Sequence, residues 1–152
     1  MKTAIIIGAS TGIGRATALA LSGKYNSISI TSFKHKEELL SLRDELMAKG
    51  CICYCETGDA GDMEFMEKFI QNTIDHLGSD IDLLINNAGI SYVGLINDMT
   101  AQDFDRTMKS NVYSVFNSCR LVVPHMIQHH KGHIINISSV WGNVGASCEV
   151  AY

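Results

Sequence analysis

The chain has 152 residues, of which 46% are apolar and 18% charged, enough for one domain with a sizeable core. Its formal net charge of −4 argues against a general nucleic-acid binder. No apolar run is long enough for a membrane span, Met1-Lys2-Thr3 pass straight into a strand with no signal peptide, and five cysteines without metal or disulfide spacing fit a reducing, cytoplasmic setting.

Short apolar runs and amphipathic stretches alternate. Strands are predicted near 3–7, 27–31, 51–55, 81–85 and 133–138, and helices near 13–22, 36–48, 62–77 and 103–129. That alternation implies a parallel sheet covered on both faces, an α/β doubly wound fold in one unit spanning 1–152. After the first strand, Ala4-Ile5-Ile6-Ile7, comes Gly8-Ala9-Ser10-Thr11-Gly12-Ile13-Gly14, and then a run of strong helix formers. A strand, a glycine turn and a helix together hold a pyrophosphate, with backbone N–H groups and the helix dipole facing the anion. The spacing is G-x-x-x-G-x-G, and no Gly-Lys-Ser/Thr follows, so a Walker loop is not indicated.

The second strand ends at Thr31-Ser32. An acid there would hold the ribose hydroxyls of NAD. Ser32 stands in that place, with Lys34 close behind and the first acid delayed to Glu37. A hydroxyl and a cation suit a 2′-phosphate, so NADP is the expected cofactor; the missing acid also weakens a methyltransferase reading. In the second helix Leu39, Leu40, Leu42 and Leu46 form the buried stripe, and Gly50 ends it. Cys51, Cys53 and Cys55 alternate along the third strand and share a face as small apolar side chains; no metal site is expected.

Asn86-Asn87-Ala88-Gly89 follows the fourth strand, where small and amide residues suit a ligand crevice. Thr100-Ala101-Gln102-Asp103 reads as a variant capping box, and Pro124 is expected to kink the long fourth helix. His125, His129, His130 and His133 surround that helix's end, where charge and solvation account for them. The fifth strand, His133-Ile134-Ile135-Asn136-Ile137, runs into Ser138-Ser139, and Tyr152 follows Ser139 by thirteen positions. Its apolar character suits a position inside the sheet, with neighbours on both sides; in residues 1–152 alone it is expected to be an unpaired edge.

Gly8, Gly12 and Gly14 at their spacing, Asn86-Asn87-Ala88-Gly89, Asn111, Ser139 and Tyr152 together resemble the short-chain dehydrogenase/reductase family. Within it, the segments 134–142 and 144–152 look most like bacterial 3-oxoacyl-(acyl-carrier-protein) reductases. The resemblance implies a Rossmann-type sheet and an NADPH-dependent reduction of a small-molecule or carrier-bound ketone. Tyr152 would be the general acid, Ser139 would orient the carbonyl oxygen, and Asn111 would hold a water in a proton relay; the alternatives are an Asn111 that satisfies backbone in a helix that bulges, and Ser139 and Tyr152 as surface polar residues. Asp59 would sit beside the adenine. Gly8, Ser10, Thr11, Gly12, Ile13, Gly14, Ser32, Lys34, Asn87, Ala88 and Gly89 would line the cofactor path.

The resemblance also implies a homotetramer, with Val112, Val115, Phe116, Leu121 and Val122 of the fourth helix divided between core and subunit contact. Thr11 departs from NADP-using relatives that carry a basic residue there. The family places a lysine four residues beyond the tyrosine to favour its ionised form, and the sequence given stops at Tyr152. The C-terminal strands and helices of the family pattern are likewise absent, so residues 1–152 alone are expected to reduce no ketone. The alternative from another class is a non-catalytic dinucleotide-binding module or a truncated product.

Overall fold

A computed structural model describes residues 2–78 and 80–152. Five parallel strands form one sheet: β1 (Thr3–Ile7), β2 (Ser27–Ser32), β3 (Ile52–Thr57), β4 (Ile81–Asn86) and β5 (His133–Asn136), in the order β3-β2-β1-β4-β5. The helices are α1 (Gly12–Leu21), α2 (Lys36–Ala48), α3 (Met63–Leu77), α4 (Ala101–Met108) and α5 (Ser114–Gln128). This is a doubly wound, Rossmann-type α/β fold. The chain winds outward from β1 through β2 to β3 and then crosses to β4 on β1's other side. The C-terminal ends of β1 and β4 therefore flank the switch point where such sheets open a crevice.

The apolar run of β1 explains its central place. Side chains alternate across a strand, so Ala4 and Ile6 face one layer while Ile5 and Ile7 face the other. On the first face, Ala18 of α1 and Leu39, Leu42 and Leu46 of α2 complete the core with Ile28 and Ile30. On the second, Met66, Phe69 and Ile70 of α3 meet Leu84 and Val122. All four apolar residues of β1 are at most 1% exposed, and each isoleucine so buried contributes about 1.5–3 kcal/mol.

The helix ends follow their sequence signals. The Asp62 side chain accepts the Phe65 N–H at 3.1 Å and caps α3. Thr100 and Asp103 form a full capping box on α4. Gly50 takes a φ of +88° just beyond α2. Cys51, Cys53 and Cys55 do share one face and pack on the first core, and burial pushes the Cys53 thiol up to about 12.

Two expectations need correction. The predicted helix 103–129 is two α-helices joined by a π turn, Lys109–Tyr113, in which the Ser114 N–H reaches back to the Lys109 carbonyl. Pro124 lies within α5, which continues to Gln128. The apolar β5 is also shorter than predicted, ending at Asn136, and it lies at the edge of the sheet, as expected for residues 1–152 alone. It pairs with β4 alone among the described residues, and Ile134 and Ile135 are 36% and 46% exposed.

Candidate functional site

The glycine turn closes on itself through the neighbouring strands. The Gly8 and Ala9 N–H groups both donate to the Thr31 carbonyl at 2.9 Å, which fastens the turn to the end of β2. Gly8 has a φ of +81°, and a Cβ there would lie 2.7 Å from the Ala88 backbone. Gly14 sits so near that a Cβ would fall 2.2 Å from the Gly8 carbonyl oxygen. The first turn of the helix thus packs flush against the loop because Gly14 has no side chain.

Above Gly12 the situation is reversed. A Cβ there would meet nothing within 4 Å. Thr11 occupies the N-cap position without a side-chain bond to the helix, and no acid stands in the first turn of α1. The first N–H groups of α1 are therefore available to an anion arriving from open space. Ser10 is buried, and Ile13 points outward, 62% exposed. Ser10, Thr11 and Gly12 line a cleft with Arg15, Glu37, Glu38 and Ser41. Sequence reasoning passed over Arg15. Its guanidinium donates to the Glu38 carbonyl at 2.9 Å and pairs with Glu45, so it ties α1 to α2.

A pocket opens beside the turn, walled by Gly8, Thr31, Ser32 and Phe33 on one side and by Asp59, Ala60, Gly61 and Ala88 on the other. Four of the expected cofactor residues, Gly8, Ser32, Asp59 and Ala88, thus share one cavity. The Asp59 carboxylate accepts the Gly61 N–H at 2.9 Å and holds the Lys109 ammonium at 3.0 Å. The Ser32 hydroxyl donates to the Lys34 carbonyl. Its proton is then committed, so Lys34 is the member of that pair left with donors for a phosphate. The Lys34 ammonium stands 6.0 Å from the centre of the exposed Phe33 ring. The open space over Gly12 and the pocket beside it suit the adenosine half of a dinucleotide, and Lys34 places a cation at the end of β2.

The turn after β4 is bonded to the turn after β1. The Asn87 N–H donates to the Ile7 carbonyl at 3.0 Å, and its carboxamide donates to the Gly8 carbonyl at 2.7 Å. Three residues on, the amide of Asn111 pairs with Ile90 at both ends, accepting its N–H and donating to its carbonyl, each at 2.8 Å. Gly89 lies directly against this amide, since a Cβ there would sit 3.5 Å from the Asn111 oxygen. The π turn is what brings Asn111 to Ile90.

Ser139 caps a short 3-10 turn, Val140–Gly142, by accepting the Trp141 N–H at 3.2 Å. Its own proton remains for another acceptor. Tyr152 is 42% exposed, and its N–H donates to the Glu149 carbonyl at 3.1 Å. No hydrogen bond joins Ser139, Tyr152 and Asn111 to one another among the described residues. The segment that carries Tyr152 is held to the loop after Gly89 by two bonds: Gly94 N–H to the Cys148 carbonyl at 2.7 Å, and the Ser91 hydroxyl to the Glu149 carboxylate at 2.5 Å.

Behind the crevice is a buried polar network that sequence reasoning missed. Asn86 donates to Asn136 at 2.9 Å across the β4–β5 pair and accepts the Ser118 hydroxyl at 2.7 Å. Asn117 donates to the Ala60 carbonyl at 3.1 Å. The available signal was Asn117-Ser118 within an otherwise apolar helical face.

The profile described as short chain dehydrogenase matches residues 2–152. The chain belongs to this family. It is 33% identical over 151 residues to the 3-oxoacyl-(acyl-carrier-protein) reductase FabG of Staphylococcus aureus, covering 99% of this chain and 61% of that relative. The crystal structure of a 3-ketoacyl-ACP reductase from Sinorhizobium meliloti superposes with a TM-score of 0.93 at 29% identity, over 99% of this chain and 59% of the other. An NAD+-bound xylitol dehydrogenase matches with a TM-score of 0.92 at 28% identity, over 99% and 58%. This short-chain dehydrogenase chain thus spans about 60% of the length of these proteins. No helix among its described residues is long and apolar enough to cross a membrane.

Proposed function

We propose that the protein carrying this chain is an NADPH-dependent carbonyl reductase acting on a 3-oxoacyl thioester of an acyl carrier protein. The observation that carries the cofactor reading is the end of β2. Ser32 and Lys34 stand where a carboxylate would select the ribose hydroxyls of NAD, beside a glycine turn with open space above Gly12. The substrate reading rests on the similarity to the staphylococcal and sinorhizobial reductases, both of which are named for that substrate class.

When bound, the reduced nicotinamide supplies the hydride. The chain's own residues hold and protonate the carbonyl oxygen. Tyr152 donates the proton, and Ser139, whose oxygen already accepts the Trp141 N–H, donates its hydroxyl to the same oxygen. Asn111 keeps one N–H and one lone pair beyond its two bonds to Ile90, enough to hold a relay water. Ser10, Thr11, Gly12, Ile13 and Gly14 take the pyrophosphate, Asp59 and Ala88 the adenine side, and Asn87 and Gly89 the path toward the nicotinamide.

The protein is proposed to act as a homotetramer in the cytoplasm. Val122 belongs to the core, whereas Val112 and Phe116 are 52% and 55% exposed and form the candidate contact face. Sedimentation as a monomer at micromolar concentration would remove the assembly reading.

The deciding experiment measures NADPH oxidation with a 3-oxoacyl thioester and with a sugar ketone, and repeats both with NADH. Turnover of the thioester with NADPH supports the reading. Preference for the sugar ketone, or for NADH, overturns the substrate or the cofactor assignment respectively.

A further inference from the structure

The loop that walls the adenosine-side pocket is mounted on the π turn as well as on its own flanking elements. Residues 59–61 are each engaged by the π turn or by α5 that follows it. Asp59 pairs with Lys109 at 3.0 Å. The Ala60 carbonyl accepts from Asn117 in α5 at 3.1 Å. Gly61 lies flush on Lys109, since a Cβ would fall 2.4 Å from the Lys109 carbonyl oxygen and 2.5 Å from its Cγ. Asp59 and Gly61 line the pocket while Lys109 stands behind them. Asp59 lines a space that, on the proposed function, receives a dinucleotide, and both oxygens of its carboxylate are engaged, by the Gly61 N–H and by Lys109.

We propose that Lys109 is a positioning residue of the dinucleotide site: paired with Asp59, it fixes the Asp59–Gly61 wall against which the cofactor binds. The inference rests on the dinucleotide reading above. Lys109 acts through Asp59 and does not line the pocket. The pair is partly exposed, 45% for Lys109 and 30% for Asp59, so its effect falls on binding more than on global stability.

The test titrates NADPH into the protein that carries this chain, as the unmodified form and as K109Q, K109R, D59N and the D59N/K109Q double variant. K109Q is expected to raise the Kd about three- to fivefold, the scale of a partly exposed ion pair. K109R is expected to restore most of the affinity, because it keeps the charge beside Asp59. In a D59N background the loss from K109Q should shrink to within error. In turnover assays K109Q should raise the KM for NADPH with little change in kcat, since the Asn111–Ile90 bonds remain. An unchanged Kd in K109Q overturns the inference. So does an equal loss in the D59N background, which would mean that Lys109 attracts the anion at long range without needing Asp59. Failure of the unmodified protein to bind either NADPH or NADH would instead overturn the proposed function.

Discussion

The carboxamide of Asn87 donates to the carbonyl oxygen of Gly8 at 2.7 Å, across 79 positions of sequence. This bond joins the turn after β4 to the turn after β1, at the point where the sheet order reverses. Ala88 meanwhile packs so tightly on Gly8 that no side chain fits between them. The crevice is therefore shaped by two turns that hold each other.

Removing the amide should loosen that junction. Asn87→Ala is expected to cost about 1–3 kcal/mol, the penalty of depriving a part-buried carbonyl of its donor. Gly8→Ala should cost more than about 2 kcal/mol, because its φ of +81° and the 2.7 Å approach to Ala88 both forbid a Cβ. Urea unfolding of the two variants measures both losses. A Gly8→Ala protein as stable as the parent would show that the turn relaxes freely.

Ser32→Asp should reverse or flatten the cofactor preference. A carboxylate at the end of β2 repels a 2′-phosphate and accepts the ribose hydroxyls of NADH. The ratio of kcat/KM for NADPH to that for NADH is the readout. An unaltered ratio would place the discrimination elsewhere.

Thr100→Ala removes half of a complete capping box at the start of α4. The expected loss is about 1 kcal/mol. A Thr100→Ser variant keeps the accepting hydroxyl and should retain most of the stability. Thermal unfolding of the two variants side by side separates the cap from any effect of the lost methyl group.

Lys131 bridges Asp80 at 2.7 Å and Asp82 at 2.9 Å, and Asp82 also accepts the Thr3 N–H. Hydrogen bonding to Lys131 holds the Asp80 carboxyl below its usual range, and the same partners raise the Lys131 ammonium above its own. A depressed carboxyl contributes stability above its ordinary pKa and loses it as pH falls. A raised lysine contributes below its ordinary pKa and loses it as pH rises through the folded value. Lys131→Met should therefore lower the melting temperature at neutral pH, and the two proteins should converge in acid as Asp80 protonates. A gap that stays constant with pH would mean the lysine acts through packing alone.

Much of the scaffold was legible without coordinates because it is local. Strand β1 is a run of apolar residues, α2 repeats leucine at helical spacing, and Thr100 and Gly50 mark helix ends by their own backbone chemistry. The glycine turn is likewise a property of seven consecutive residues, and its place after a strand and before a helix already implied a cradle for phosphate.

What tertiary structure decided depends on partners distant in sequence. A bulge at Asn111 that lets its amide satisfy backbone was open from the sequence, but its partner was not: the amide grips both backbone groups of Ile90, 21 positions away. Asp59 could be singled out by position, but its lysine comes from an element fifty residues later. Side-chain pattern specifies which faces seek a core and which residues can turn the chain. Which polar groups meet is set only when the sheet order brings the ends of β1, β3 and β4 against the π turn, because hydrogen bonds and ion pairs act only at contact distance.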